Sequence, residues 1–299
     1  MLRWLTILAP CAMGLILAFV EPGMSQTERL MNEQITALET PAERNWHAFW
    51  NNHLGEWKGR WTRYTPSGDV QESFASTRQF SANPSKTEIV HVNRYDDPDG
   101  RSIEKTWNYN ISDHSRKDGF AHPASNSMRG LALDNGAAVW LIPAIQPNQV
   151  TPFELYLVDG EIRHSVGVIY GKKGELLRTA SIREQRGQQS GFGWTNTVDQ
   201  VARWSPIGHW KGEERQITPD LSRTPLQQTS WQWMDMNLSN HFFPDGIILR
   251  CPEQIKPGQA FSVQVIWKLN NTTLQTLTVN YNNAAQLTSI SHKTLTPED

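Results

Sequence analysis

Three ionisable side chains in the first half of the chain, Glu72, Arg78 and His91, form the nearest set that could act together in one cavity. A carboxylate, a guanidinium and an imidazole can hold the polar part of a small molecule, and they can transfer protons to it if they converge. Aromatic rings would supply the apolar walls, although the same rings could simply fill a core. The candidate lining residues are Trp107, Tyr109 and Trp140 in the first half and Trp231, Trp233 and Trp267 in the second.

Metal, hydrolytic and nucleic-acid chemistry find no support in the sequence. The nine histidines are scattered, and the two cysteines, Cys11 and Cys251, are too far apart in sequence for a C-x-x-C pair. No G-x-S-x-G segment is present. A net charge of −2 provides no basic field that would attract nucleic acid. We therefore expect no metal site, no hydrolase triad and no nucleic-acid partner, and the sequence indicates no particular cofactor.

One segment of the chain occurs twice. Residues 54–66 read LGEWKGRWTRYTP, and residues 207–219 read IGHWKGEERQITP. Both contain Gly-x-Trp-Lys-Gly. The corresponding pairs are Gly55 with Gly208 and Trp57 with Trp210. The glycine lets the chain bend into a strand, and the tryptophan can plug the narrow end of a small barrel. A repeat with a domain-sized period predicts two copies of one fold.

The elements that must position these residues are mostly short strands. Val70, Phe74 and Phe80 share one parity, and turn residues over 96–100 indicate a hairpin. Further strands are predicted over 103–111, 137–142, 153–158, 161–170 and 176–184 in the first half, and over 229–238, 246–251, 261–269, 274–281 and 286–293 in the second. Regularly spaced strands with tight turns are typical of antiparallel barrels.

The predicted organisation is all-β with two tandem antiparallel barrels. A helical segment over 24–54, interrupted at Pro41, leads into the first barrel. The first barrel spans residues 55–190 and the second spans 204–296. A polar, Gly-rich stretch near 185–193 separates them.

The Gly-x-Trp placement resembles the lipocalin (calycin) signature. More closely, the first half is similar to a cyanobacterial and plastid family of unknown function with tandem lipocalin-like barrels. The residues that carry this resemblance are Asn45, Trp46, Phe49, Trp50, His53, Leu54, Gly55, Trp57, Gly59, Trp61, Thr62, Ser73 and Phe74. The resemblance covers about residues 45–295. It implies that a late-strand arginine stacks on the motif tryptophan. Arg183 would do this for Trp57, whereas Lys293 is the only basic residue in the last predicted strand of the second half.

Three functions are compatible with this reading. The first is a non-catalytic lipocalin-like protein that binds a small hydrophobic or amphipathic molecule, such as a pigment or a lipid. The second is a bilin-lyase-like carrier, or an isomerase or cyclase on a calycin barrel, which needs converging acid and base groups. The third is an interaction module whose barrels are fully packed. We expect the first barrel, rather than the second, to hold any ligand.

The N-terminal segment allows three interpretations. Residues 1–23 contain an apolar run over 4–20 that ends at Glu21 and Pro22. This run is typical of a signal peptide or a single membrane anchor, or it precedes a true start at Met24. The protein is cytoplasmic if translation starts at Met24, and otherwise it is exported or anchored through this segment.

Overall fold

The computed structural model describes residues 39–96, 99–187, 193–234 and 238–298. Two antiparallel sheets contain most of these residues, so the predicted all-β class is confirmed. Two helices accompany them in the described part of the chain: α1 (Pro41–His53) and α2 (Ile111–His114). Neither is long and apolar enough to cross a membrane. The apolar run over residues 4–20 lies outside the described residues.

Helix α1 begins at Pro41 because its neighbours form a complete N-terminal cap. The side chain of Thr40 accepts a hydrogen bond from the backbone N–H of Glu43, and the Glu43 carboxylate accepts one from the backbone N–H of Thr40 (2.9 Å). Proline suits the first helical position, where no N–H is needed. The helical lead-in predicted over 24–54 is thus seen from Pro41 to His53, and residues 39 and 40 just before it are not helical. Residues 24–38 lie outside the described residues.

The first sheet is a nearly closed barrel. It runs in the order β4-β3-β2-β1-β11-β10-β9-β8-β7-β6-β5, so the first strand pairs with the last. The short helix α2 contacts β4 and β6 beside the gap. The strands are β1 (Gly55–Tyr64), β2 (Val70–Ala82), β3 (Glu88–Asp96), β4 (Ser102–Asn110), β5 (Ser115–Arg116), β6 (Gly119–His122), β7 (Ser125–Ala132), β8 (Ala138–Leu141), β9 (Thr151–Asp159), β10 (Ile162–Tyr170) and β11 (Leu176–Arg186).

The second sheet follows the same plan with fewer strands. Its order is β13-β12-β18-β17-β16-β15-β14, and its first strand again pairs with its last. The strand predicted over 229–238 ends earlier, and β14 was not predicted. The strands are β12 (His209–Ile217), β13 (Gln227–Gln232), β14 (Ser239–Phe243), β15 (Ile247–Cys251), β16 (Phe261–Lys268), β17 (Leu274–Tyr281) and β18 (Leu287–Pro297).

The repeated segment takes the same place in both sheets. A Cβ atom on Gly59 would lie 1.8 Å from the carbonyl oxygen of Arg183, and one on Gly212 would lie 2.0 Å from that of Thr294. Both distances are far inside van der Waals contact, so neither position accepts a side chain. The second glycine of Gly-x-Trp-Lys-Gly therefore allows the first strand of each sheet to approach the last strand.

The two sheets exchange equivalent hydrogen bonds where they meet. The hydroxyl of Tyr170 donates to the carbonyl of Pro252 (2.8 Å), and the hydroxyl of Tyr281 donates to the carbonyl of Ile142 (2.7 Å). A continuous apolar core that contains residues of both sheets fills the space between them. From Thr40 onward the chain therefore forms one compact unit, although it contains two sheets.

Candidate ligand-binding site

Aromatic side chains fill the first barrel at the end where β1 begins. Helix α1 contributes Trp46, Phe49 and Trp50 to this cluster, which is buried throughout. Tyr109 and Trp140, which the sequence predicted as cavity-lining residues, pack within the same cluster. Tyr109 lies 5.0 Å from Trp50, and Trp140 lies 5.6 Å from Phe49, between ring centroids. These two aromatic residues are therefore part of a plug and do not line an open cavity.

A layer of buried charges lies next to this plug. The guanidinium of Arg163 contacts the carboxylate of Glu184 at 2.7 Å, and both side chains are fully buried. Arg78 reaches the other oxygen of Glu184 at 3.1 Å and contacts Glu154 at 2.8 Å. Two positive and two negative groups thus alternate across the barrel. Buried charges require this kind of pairing, because the free energy of desolvation is otherwise not offset.

The arginine that stacks on Trp57 is Arg163, with its guanidinium 4.2 Å from the ring centroid, and Arg186 lies 5.0 Å from the same ring. The predicted partner, Arg183, instead contacts Thr195, Thr197 and Asp245. The reason is the two-residue period of a strand. Trp57 pairs with Arg186, so every second residue of β11 back from Arg186 shares its face, and Arg183 points to the opposite one. The assignment of Arg183 was therefore wrong.

Two histidines beside the charged layer are held in the neutral form. Burial, and then the charge of Arg163, keeps the pKa of His53 well below its ordinary value. His53 Nδ1 accepts a hydrogen bond from Arg163 (3.1 Å), and its Nε2–H donates to the carbonyl of Gly136 (3.1 Å). Burial and the charge of Arg78 likewise lower the pKa of His91, whose Nε2 contacts Asn93 at 2.6 Å. Trp107 is half-buried with its ring 4.9 Å from that of His91.

The opposite side of the charged layer opens into a cavity of about 230 Å³. Its floor is Glu154, whose side chain is 21% exposed. One carboxylate oxygen of Glu154 accepts hydrogen bonds from Arg78 and from Ser165 (2.9 Å). Burial alone would raise the pKa of Glu154, but the charge of Arg78 and these hydrogen bonds more than offset it and lower the pKa. The floor is thus an ionised carboxylate. The remaining lining residues are Trp61, Arg63, Met128, Pro152, Phe153, Gly167, Ile169, Arg178, Thr179 and Ala180.

The predicted polar set does not converge. Arg78 and His91 both lie inside the barrel, but Glu72 lies half-exposed at its mouth in an ion pair with Arg63. Glu72 and Arg78 share a face of β2, yet six residues of extended chain separate their Cα atoms by about 20 Å. The carboxylates that do contact Arg78 are Glu154 and Glu184, on strands distant in sequence. The pairing of β1 with β11 places Glu184 on the same interior face as Trp57, so knowledge of this register would have indicated Glu184 as a buried carboxylate of the barrel.

The second sheet encloses an apolar cluster. Trp231 and Trp233, predicted to line a cavity, pack against the apolar cluster that contains Trp210. Trp267, predicted for the same role, belongs to the core shared by both sheets and lies 4.8 Å from His164. Two surface clefts, of about 980 and 460 Å³, lie where loops and strand ends of the two sheets meet. Loops and strand ends line both clefts, and neither cleft lies inside a barrel. The cavity of the first barrel, which borders the buried charged layer, is therefore the candidate site.

These features define the class: an all-β protein with a nearly closed antiparallel barrel that is plugged at one end and opens into a cavity at the other. Residues 42–189 match the family model described as domain of unknown function DUF3598, N-terminal. The chain belongs to this family through its first barrel and the helix that precedes it.

A crystal structure of a DUF3598 protein of unknown function from Nostoc punctiforme is similar over 85% of this chain and 99% of that one, with 14% identity and a TM-score of 0.66. This similarity shows that the fold is shared. An S-type phycobiliprotein lyase from Guillardia theta matches 50% of this chain and 97% of its own, with 10% identity and a TM-score of 0.34. A likeness at that level carries no functional argument. No curated protein matches the chain.

Proposed function

We propose that the protein is a lipocalin-like binding protein that holds a small amphipathic molecule in the cavity of the first barrel. The observation that carries this proposal is the cavity of about 230 Å³ on one side of the buried charged layer, with mainly apolar walls and a carboxylate floor. Sites of this kind use apolar walls for affinity and a few fixed polar groups for orientation.

The charged groups of the barrel support binding rather than proton transfer. A general acid or base works best when its pKa lies near the working pH. The pKa of Glu154 is lowered, and those of His53 and His91 lie well below their ordinary value. Arg78 and Arg163 form ion pairs with the carboxylates of Glu154 and Glu184. These groups are suited to hold a ligand in one orientation.

Two small residues keep the cavity open. Ala180 and Gly167 pair across β11 and β10, and a Cβ atom on Gly167 would lie 3.3 Å from that of Ala180. Both positions face the cavity, so a large side chain at Ala180 would occupy the space of a ligand. Leu177, three residues earlier on β11, is exposed on the opposite face and provides a matched control.

The test is a fluorescence titration of the full chain with N-phenyl-1-naphthylamine, an uncharged amphipathic probe. We expect saturable binding at one site, and Ala180→Phe should weaken it by at least about tenfold because its ring fills the cavity. Leu177→Phe should bind like the wild type. Thermal unfolding of each variant checks that it is folded. Absence of saturable binding, or equal binding by Ala180→Phe, would refute the proposal. If the probe binds as expected, native mass spectrometry of protein purified from its own source would identify a natural ligand.

A further inference from the structure

Most arginines that face the interior of the first barrel are paired with carboxylates. Each guanidinium deep in the barrel contacts at least one carboxylate, and so does the guanidinium of Arg63, which lies beside Trp61 at the mouth. These ion pairs are Arg163 with Glu184, Arg78 with both Glu184 and Glu154, and Arg63 with Glu72. The exception is Arg178, which lines the same cavity. Its guanidinium makes no ion pair or hydrogen bond with any residue that the structure describes.

The position of Arg178 makes this lack of a partner unfavourable. The residue is half-buried on β11, opposite Ile169 of β10 and two residues beyond Ala180 on the same face. Burial, and then the nearby charge of Arg63, lowers its pKa, and Glu72 opposes this shift only in part. The mouth of the cavity therefore carries one positive charge that is partly desolvated and not neutralised. A neighbouring anion would offset the free energy that the partial desolvation of this charge costs.

A second unpartnered donor lines the cavity. The indole Nε1 of Trp61 is buried and has no hydrogen-bond partner within the described parts of the chain. Buried donors are normally paired, so this group also favours a ligand that carries hydrogen-bond acceptors. At the floor, the ionised carboxylate of Glu154 would repel a negative group. The electrostatic polarity of the cavity is thus negative at its floor and positive at its mouth.

We propose that the ligand is an amphipathic anion whose single negative group pairs with Arg178 at the mouth, while its apolar body points inward along Met128, Pro152 and Ala180. This inference rests on the proposed function and specifies its ligand class. A guanidinium binds a carboxylate or sulfonate through charge-assisted hydrogen bonds, which gives the pair both strength and direction. The inner end of the ligand carries no negative charge, because it lies next to Glu154.

Two probes with the same aromatic skeleton separate the two proposals. N-Phenyl-1-naphthylamine is neutral, and 1-anilinonaphthalene-8-sulfonate is the same molecule with one sulfonate. We expect the wild type to bind the anionic probe about tenfold more tightly. Arg178→Met should remove this preference, weakening the anionic probe about tenfold and leaving the neutral probe unchanged. Arg116→Met, which removes an exposed arginine outside the cavity, should change neither.

The outcomes distinguish failure of the ligand class from failure of the site. Equal affinities of the wild type for the two probes, or an equal weakening of both by Arg178→Met, would overturn the anion inference and leave the binding function in place. A preference that survives in Ala180→Phe would show that the anionic probe binds elsewhere, and would also overturn the inference. No binding of either probe would refute the binding function itself.

Discussion

Trp57 in the first sheet and Trp210 in the second lie at the same register position of their first strands. Trp57 pairs with Arg78 on the neighbouring strand, whereas Trp210 pairs with Trp231. One tryptophan therefore borders a charged layer, and the other borders an aromatic neighbour. The backbone arrangement is the same in both places, so it is the side chains that differ.

The next interior layer repeats this contrast. In the first sheet, the strand residue that pairs with the second motif glycine is Glu184, and its partner on the next strand is Arg163. In the second sheet, the corresponding residues are Leu295 and Leu274. All four side chains are fully buried. An ion pair in one sheet thus stands where a leucine pair stands in the other.

A sheet with the same strand plan thus forms with a leucine pair at the position of the buried ion pair. Replacing a buried ion pair by apolar residues of similar size is often neutral or stabilising. The second sheet has the apolar pair at this position, and it encloses a packed apolar cluster. The charged layer of the first sheet instead places the carboxylate of Glu154 at the floor of the cavity. We interpret the layer as serving the site rather than the stability of the fold.

The largest expected effect tests this interpretation directly. Arg163→Leu should lower the free energy of unfolding by about 3–5 kcal/mol, because it removes a partner from fully buried Glu184. The double variant Arg163→Leu/Glu184→Leu reproduces the leucine pair of the second sheet and should recover most of that loss. Urea unfolding measures both. A double variant that is no more stable than the single one would contradict the comparison.

The next effect concerns acid stability and one histidine in each half, the half-buried His122 and the buried His292. Burial keeps the pKa of His122 in the first sheet, and of His292 in the second, at about 4. Between pH 6.5 and 4 the unfolded chain binds these protons and the folded chain does not, so stability falls as the pH drops. Each histidine contributes about 1.4 kcal/mol per pH unit in this window.

Replacement of either histidine should reduce that dependence. His122→Gln and His292→Gln should each flatten the decrease in unfolding free energy between pH 6.5 and 4 by a similar amount. Thermal or urea unfolding over this range is the measurement. An unchanged slope in one variant would show that its histidine is protonated in the folded protein, and that the two halves differ in this respect.

The smallest effect concerns the equivalent hydrogen bonds between the sheets. Tyr170→Phe and Tyr281→Phe each remove one hydroxyl that donates to a carbonyl of the other sheet. We expect each to lower the free energy of unfolding by about 1 kcal/mol, because each removes one hydrogen bond of similar length. If one variant loses clearly more unfolding free energy than the other, the two hydrogen bonds do not contribute equally to the contact between the sheets.

Local patterns predicted much of the fold. The hairpin expected from the turn residues at 96–100 is confirmed by the pairing of Asp96 with Ser102. Strands β9, β10 and β11 lie within one to two residues of their predicted limits at most ends. Strands β5, β6 and β7 were missed, because they are short or carry polar residues without clear alternation. Their positions depend on packing against α1 and on their neighbours in the sheet.

The candidate site was less predictable, because its parts are distant in sequence. Arg78 meets Glu154 and Glu184 only when β2, β9 and β11 curve around one interior. The family resemblance predicted Arg183 because a basic residue in a late strand is visible in the sequence, whereas the face of the strand on which it lies is not. A shift of one residue moves a side chain to the other side of a sheet, so parity without register cannot assign a stacking partner.

Local sequence patterns were enough to predict the all-β class and to reveal the repeated Gly-x-Trp-Lys-Gly segment, since alternation, turns and obligatory glycines are local properties of the chain. The tertiary structure was needed to establish which face of each strand lies inside and which charged groups meet. It also decided that the first barrel carries a polar interior with a cavity, and that the second packs its tryptophans. Those features depend on strand pairing over long sequence separations, and they are fixed by the closure of the sheet.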